Sequence, residues 1–167
     1  MKKSSAGILL YELEGSSLRV LLVHPGGPLW AKKDLGAWSV PKGEYEEPED
    51  PYAAALREFE EETGRRLEPG DVRELIPLGT VHQANGKAVI AWAIEGAFDV
   101  SALVSNTFQL EWPKGTGLRE FPEVDRAAWF DPAVARRKVI EAQAEFVDRL
   151  VTALRERGHE VHDPSLS

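Results

Sequence analysis

The chain has 167 residues, 43% of them hydrophobic, which fills one ordinary core and leaves no room for two full domains. Its 28 acidic residues against 20 basic ones give a formal charge of -8, which disfavours nucleic acid polymers and points to a small partner molecule. The absence of cysteine excludes disulfides and thiolate metal sites, leaving oxygen ligands and four histidines as metal donors, so hard cations are the natural candidates. The basic start Met1-Lys2-Lys3 leads into an apolar stretch, residues 6–10, too short for an export signal, and no run reaches membrane-spanning length. A cytoplasmic protein is expected, with its oligomeric state left open.

Residues 8–14 and 18–24 are β-rich runs around Gly15-Ser16-Ser17, the pattern of an antiparallel hairpin. Residues 25–43 carry scattered Gly and Pro and read as a loop leading into a short strand around Trp38-Ser39-Val40, with Gly43 at the strand exit. Pro51 suits a first helical turn, Glu49 and Asp50 favour the positive end of its dipole, and Gly64 can close the helix after Thr63. Residues 72–82 and 87–95 flank Asn85-Gly86, a tight-turn signal between strands. Residues 98–117 match no single pattern. A strand over residues 124–130 precedes Asp131-Pro132, which caps a last helix expected to persist to about Arg157, with a break near Gln143. One domain over residues 1–157 and a frayed polar tail over 158–167 follow from this reading. The mixed α+β pattern implies helices packed on a mixed sheet.

Chemistry concentrates in residues 43–64. Glu58, Glu61 and Glu62 stand at i, i+3 and i+4 of the helix, so their carboxylates leave on one face and repel one another. A divalent cation turns that repulsion into attraction, and oxygen-only donors suit Mg2+, with Mn2+ as substitute. Gly43 lacks a side chain where the backbone must turn close to that face, and Arg57 can hold a carboxylate in a bidentate fork.

The order Gly43, five residues, Glu49, seven residues, Arg57-Glu58, Phe59, one residue, Glu61-Glu62, one residue, Gly64 resembles the complete Nudix box. Arg65 is the one departure, standing where the family usually has an aliphatic residue. The box spans about an eighth of the chain, and its many fixed positions make it far more specific than a lone glycine motif. The resemblance implies an α/β fold, the Nudix α/β/α sandwich: a central mixed sheet with the box helix on one side and the C-terminal helix on the other. It further implies a hydrolase that cleaves a phosphoanhydride bond of a small nucleotide-like diphosphate with metal-activated water. Glu58, Glu61 and Glu62 would then ligate metal and Gly43 would offer a carbonyl. Glu49 and Arg57 would brace the loop and helix, and Glu123 matches the extra carboxylate that many members bring from a late loop. Glu61 is favoured as metal ligand or general base, with Glu123 next.

Lys42, adjacent to Gly43, is the lysine that sequence holds near the metals, ahead of Lys32 and Lys33. Trp30 and Trp38 flank the loop before the box; Trp30 is taken as a base-stacking residue, Trp38 equally as core. His24 and His82, at strand ends, are either satisfied structural histidines or contacts to base or phosphate, and His82 is kept with Lys42 and Trp30 as a substrate-binding candidate. The segment Trp38-Ser39-Val40-Pro41-Lys42-Gly43 resembles the approach to the box in dinucleoside polyphosphate and diphosphoinositol polyphosphate hydrolases. The tyrosine that many of the former carry some seventeen residues past the box is replaced by Val81-His82-Gln83. A pyrophosphohydrolase of normal or damaged nucleoside triphosphates, and a non-catalytic nucleotide sensor, are the alternatives.

Overall fold

Strand β1 (Ser4–Glu14) is buried along most of its length in the computed structural model, which describes residues 4–165. Such a strand must sit at the centre of a sheet with both faces covered. It runs parallel to β5 (Ala88–Glu95) on one edge. Its other edge is shared by β2 (Ser17–Pro25) at one end and β3 (Lys42–Tyr45) at the other, both antiparallel. With β4 (Leu75–His82) beyond β5 and β8 (Val124–Phe130) beyond β2, the mixed sheet has six strands.

Side chains alternate across β1, as the two-residue period of a strand requires. Ile8 and Leu10 face Ala55 and Phe59 of helix α1 (Pro51–Thr63). Leu9 and Tyr11 face Phe146 and Leu150 of the C-terminal helix α3 (Ala144–Glu156). Each large apolar side chain so buried contributes roughly 1.5–3 kcal/mol. The result is the α/β/α sandwich, with the two helices on opposite faces.

The shared edge of β1 matters for the site. β2 keeps register with β1 over residues 11–14, while β3 takes residues 4–7. Between them β2 leaves β1: Ile8 donates its N–H to Pro41 (3.1 Å), and Val23 exchanges hydrogen bonds with Ser39 (2.9 and 3.0 Å). A cavity lies where the strands part.

Several expectations are corrected. Residues 38–40 make isolated bridges, Ser39 to Val23 and Trp38 to Val139, so the strand begins at Lys42 and Gly43 lies inside it. The break expected near Gln143 is present, and it divides the last helix in two over residues 139–143. α2 (Pro132–Lys138) ends because the Trp38 backbone inserts: its N–H donates to Lys138 (2.9 Å) and its carbonyl accepts from Ile140 (2.8 Å), holding the chain extended there. Residues 98–117 contain β6 (Thr107–Glu111), which pairs with β7 (Leu118–Pro122) in a separate hairpin. The segment after α3 is pinned rather than frayed: Val161 is buried, Asp163 pairs with Arg136, and His162 donates its N–H to Ser16 (2.8 Å). The Met1-Lys2-Lys3 start and the last two residues of the tail lie outside the described residues. Among the described residues, no helix is long and apolar enough to cross a membrane.

Candidate active site

Helix α1 is delimited by its own sequence. Asp50 caps it by accepting from the Ala53 N–H (3.0 Å), Pro51 opens the first turn, and Gly64 closes it at φ 85°, a left-handed angle that favours glycine. The helix carries Glu58 against β3. A Cβ built on Gly43 would stand 1.9 Å from Glu58 Oε2, so with the carboxylate in this orientation, turned to Arg57, the strand needs glycine here.

Arg57 organises the acidic groups. Its Nε and Nη2 donate to the two oxygens of Glu49 (3.0 and 2.9 Å), and Nη1 donates to Glu58 (2.7 Å). The same Nη1 reaches Glu61 only at 3.3 and 3.4 Å. Ion pairing with Glu49 and Glu58 raises the guanidinium pKa further. Arg57 thus joins the loop before the helix to the helix itself.

Glu62 accepts the backbone N–H of Lys42 (3.2 Å). Burial, helped by the charges of Glu58 and Glu123, pushes its carboxyl up to about 8 against the opposing pull of Lys42. Burial likewise raises Glu58 and Glu123, each with an added push from Glu61. The four carboxylates therefore feel one another's charge. Burial lowers the Lys42 ammonium, with Glu62 opposing.

Glu123, between β7 and β8, is placed by its backbone. Its N–H donates to Asn106 (2.8 Å) and its carbonyl accepts from Gly26 (2.9 Å). Asn106 also donates its N–H to the Glu61 carbonyl (2.8 Å), tying the late loop to the end of α1. Ser105 adds a hydroxyl that accepts from the Val124 N–H (3.0 Å). Neither residue carries a signal in the sequence.

Among the described residues, no three carboxylate or imidazole side chains converge as a ready metal cage. Glu58 is turned to Arg57 and Glu62 to Lys42 N–H, so ligation needs side-chain rotation. The donor set still fits a hard divalent cation, being all oxygen, anionic and mutually repelling.

Lys42, Glu62, Glu123 and Trp30 line one cavity of about 220 Å³ where β2 and β3 part. Trp30, 40% exposed, lies under the Lys33 ammonium (4.7 Å to the ring centre). His82 is exposed at the end of β4 and does not line this cavity. His24 is fully buried with both ring nitrogens bonded, to Asp125 (2.8 Å) and to the Lys33 carbonyl (2.6 Å), which is a structural role. Trp38 is core, its indole N–H donating to Asp34 (2.8 Å). Gln143 was missed except as a break in the apolar pattern. Fully buried, it accepts from Val40 N–H (2.9 Å) and donates to Ser39 Oγ and Gln83 Oε1 (both 3.0 Å), fixing the segment that delivers Lys42.

The family model of the NUDIX domain matches residues 1–150. The chain belongs to the Nudix family. With that membership it is a phosphoanhydride-cleaving hydrolase. A C. elegans Ap4A hydrolase in a binary complex superposes with a TM-score of 0.60 at 18% identity, covering 92% of this chain and 98% of that one. The NUDIX domain of Shewanella oneidensis NrtR, complexed with ADP ribose, gives 0.59 at 16% identity over 92% and 89%. RenU, a Nudix hydrolase from M. smegmatis, gives 0.56 at 22% identity over 92% and 86%. At these identities the likeness shows the Nudix fold.

Proposed function

We propose that this Nudix protein is a Mg2+-dependent pyrophosphohydrolase of nucleoside diphosphate-linked molecules, with dinucleoside polyphosphates as the leading substrate class. The observation that carries this reading is the cavity in which one lysine, Lys42, stands beside Glu62 and Glu123 at the foot of the box helix. An ammonium among carboxylates suits a polyphosphate held partly by lysine and partly by cations bridging to the acids. The Ap4A hydrolase activity named for one structural relative and the ADP ribose bound to another agree with a diphosphate-linked substrate.

Glu58, Glu61, Glu62 and Glu123 would hold the metal with the Gly43 carbonyl, and bound Mg2+ supplies Lewis-acid charge neutralisation and an acidified water. Arg57 keeps Glu58 oriented and ties Glu49 to it. Glu58 is held closely by Arg57 (2.7 Å), whereas Glu61 reaches the same guanidinium only at 3.3 and 3.4 Å. Glu61 serves either as a metal ligand or as the base that accepts the proton of the attacking water, with Glu123 as the next group in the same charge network. Lys42 takes phosphate oxygens, and Trp30 at the cavity rim takes a ring.

The test is a panel of dinucleoside polyphosphates, nucleotide sugars and nucleoside triphosphates with Mg2+, resolved by product and run in water labelled with oxygen-18. Turnover of the diphosphate-linked substrates that stops in excess chelator is expected. Turnover restricted to nucleoside triphosphates would replace the substrate class, and turnover unaffected by chelator would remove the metal.

A further inference from the structure

A second cavity, about 290 Å³, adjoins the first and shares Pro25, Trp30 and Glu123 with it. One wall is the loop from Gly26 to Trp30; the other is strand β6, through Phe108 and Leu110. We propose that this slot is the subsite for the nucleobase of the substrate, with the β6–β7 hairpin as its second wall. The proposal rests on reading the glutamate site as the phosphate site.

The β6 pattern supports it. Thr107, Gln109 and Glu111 are exposed while Phe108 and Leu110 are half-buried, so the strand turns its apolar face to the cavity. The walls are held together at their base. A Cβ on Gly27 would come within 2.8 Å of the Phe108 ring, and one on Gly26 within 1.9 Å of the Pro122 carbonyl, so the glycines let the loop lie directly on the hairpin. The lining is aromatic and aliphatic except for Glu123, which stands on the side shared with the phosphate cavity. A planar heteroaromatic ring joined to a phosphate chain matches that order: π faces at one end, charge at the other. Volume and lining suit a ring better than a sugar, which needs more hydrogen-bonding partners than the slot provides.

The test measures Kd by calorimetry, with Ca2+ present, for ADP and for inorganic pyrophosphate against the wild type, Phe108→Ala and Leu110→Ala. The wild type is expected to bind ADP more tightly than pyrophosphate, and each variant to lower that preference about tenfold, the scale of a lost base-stacking contact. Melting temperatures check folding, and Leu110→Ala remains informative if Phe108→Ala loosens the hairpin. A preference within twofold of wild type in both variants, or a wild type that prefers pyrophosphate, overturns the subsite. A protein that hydrolyses none of the panel substrates yet shows the base-dependent loss would break the pyrophosphohydrolase reading of the glutamate site while upholding the subsite.

Discussion

The box helix and the β6–β7 hairpin both face the proposed substrate, but they are built by different rules. In α1, cap, first turn, carboxylate spacing and closing glycine are neighbours in sequence, and helical geometry alone brings them onto one face. The hairpin has no comparable local code. Its position comes from Asn106, Glu123 and Gly26 bonding across the fold, and from Phe108 lying on Gly27. The proposed box acids are thus carried by a locally determined element, and Glu123 and the proposed ring-binding wall by tertiary contacts. Substitutions in the first should change turnover, and substitutions in the second should change affinity.

The largest expected effect sits in α1. Glu61→Gln or Glu62→Gln should lower turnover about 10²–10⁴-fold in a steady-state assay on a confirmed substrate, the range for losing a general base or a transition-state contact. Wild-type turnover in both variants would show that the box acids are not the reaction centre. Next, Arg57→Ala and Gly43→Ala should each cost about 10–100-fold, because Glu58 loses its orientation in one and its space in the other. Arg57→Lys should not restore activity, since one ammonium cannot reproduce the fork to Glu49 and the bond to Glu58. An active Gly43→Ala variant would mean that Glu58 can work from elsewhere.

In the loop that faces the hairpin across the slot, Trp30→Ala should raise KM about tenfold with a smaller change in kcat, read from full saturation curves. A kcat loss without a KM change would move Trp30 to the chemical step and erase the division between the regions. The smallest effect is on stability. The Glu62 carboxyl is raised to about 8 in the folded protein from an ordinary 4.5, so the folded state binds its proton more tightly than the unfolded state. Its contribution is complete below the ordinary value and is lost as pH rises towards 8. Metal-free protein should therefore melt at a lower temperature at pH 9 than at pH 6, and Glu62→Gln should flatten that fall. A Glu62→Gln variant with an unaltered melting profile would place the carboxylate in solvent.

Sequence alone determined the box helix with both of its ends, the repelling acids upon it, and the β-rich runs of the opening hairpin. These are legible because each depends on residues within about one or two turns of one another. It misplaced what depends on distant partners. The strand expected at Trp38 yields to Lys42–Tyr45 because Trp38 pairs with Val139 instead; that same contact is the physical cause of the break that the apolar pattern had marked near Gln143. The tail lies down because Asp163 finds Arg136. Glu123 was recognisable by resemblance, yet its approach to Lys42 and Glu62, and the cavity between them, exist only where β2 and β3 part along β1. Local spacing encodes which groups a helix presents together; closure of the long loops decides what stands opposite them.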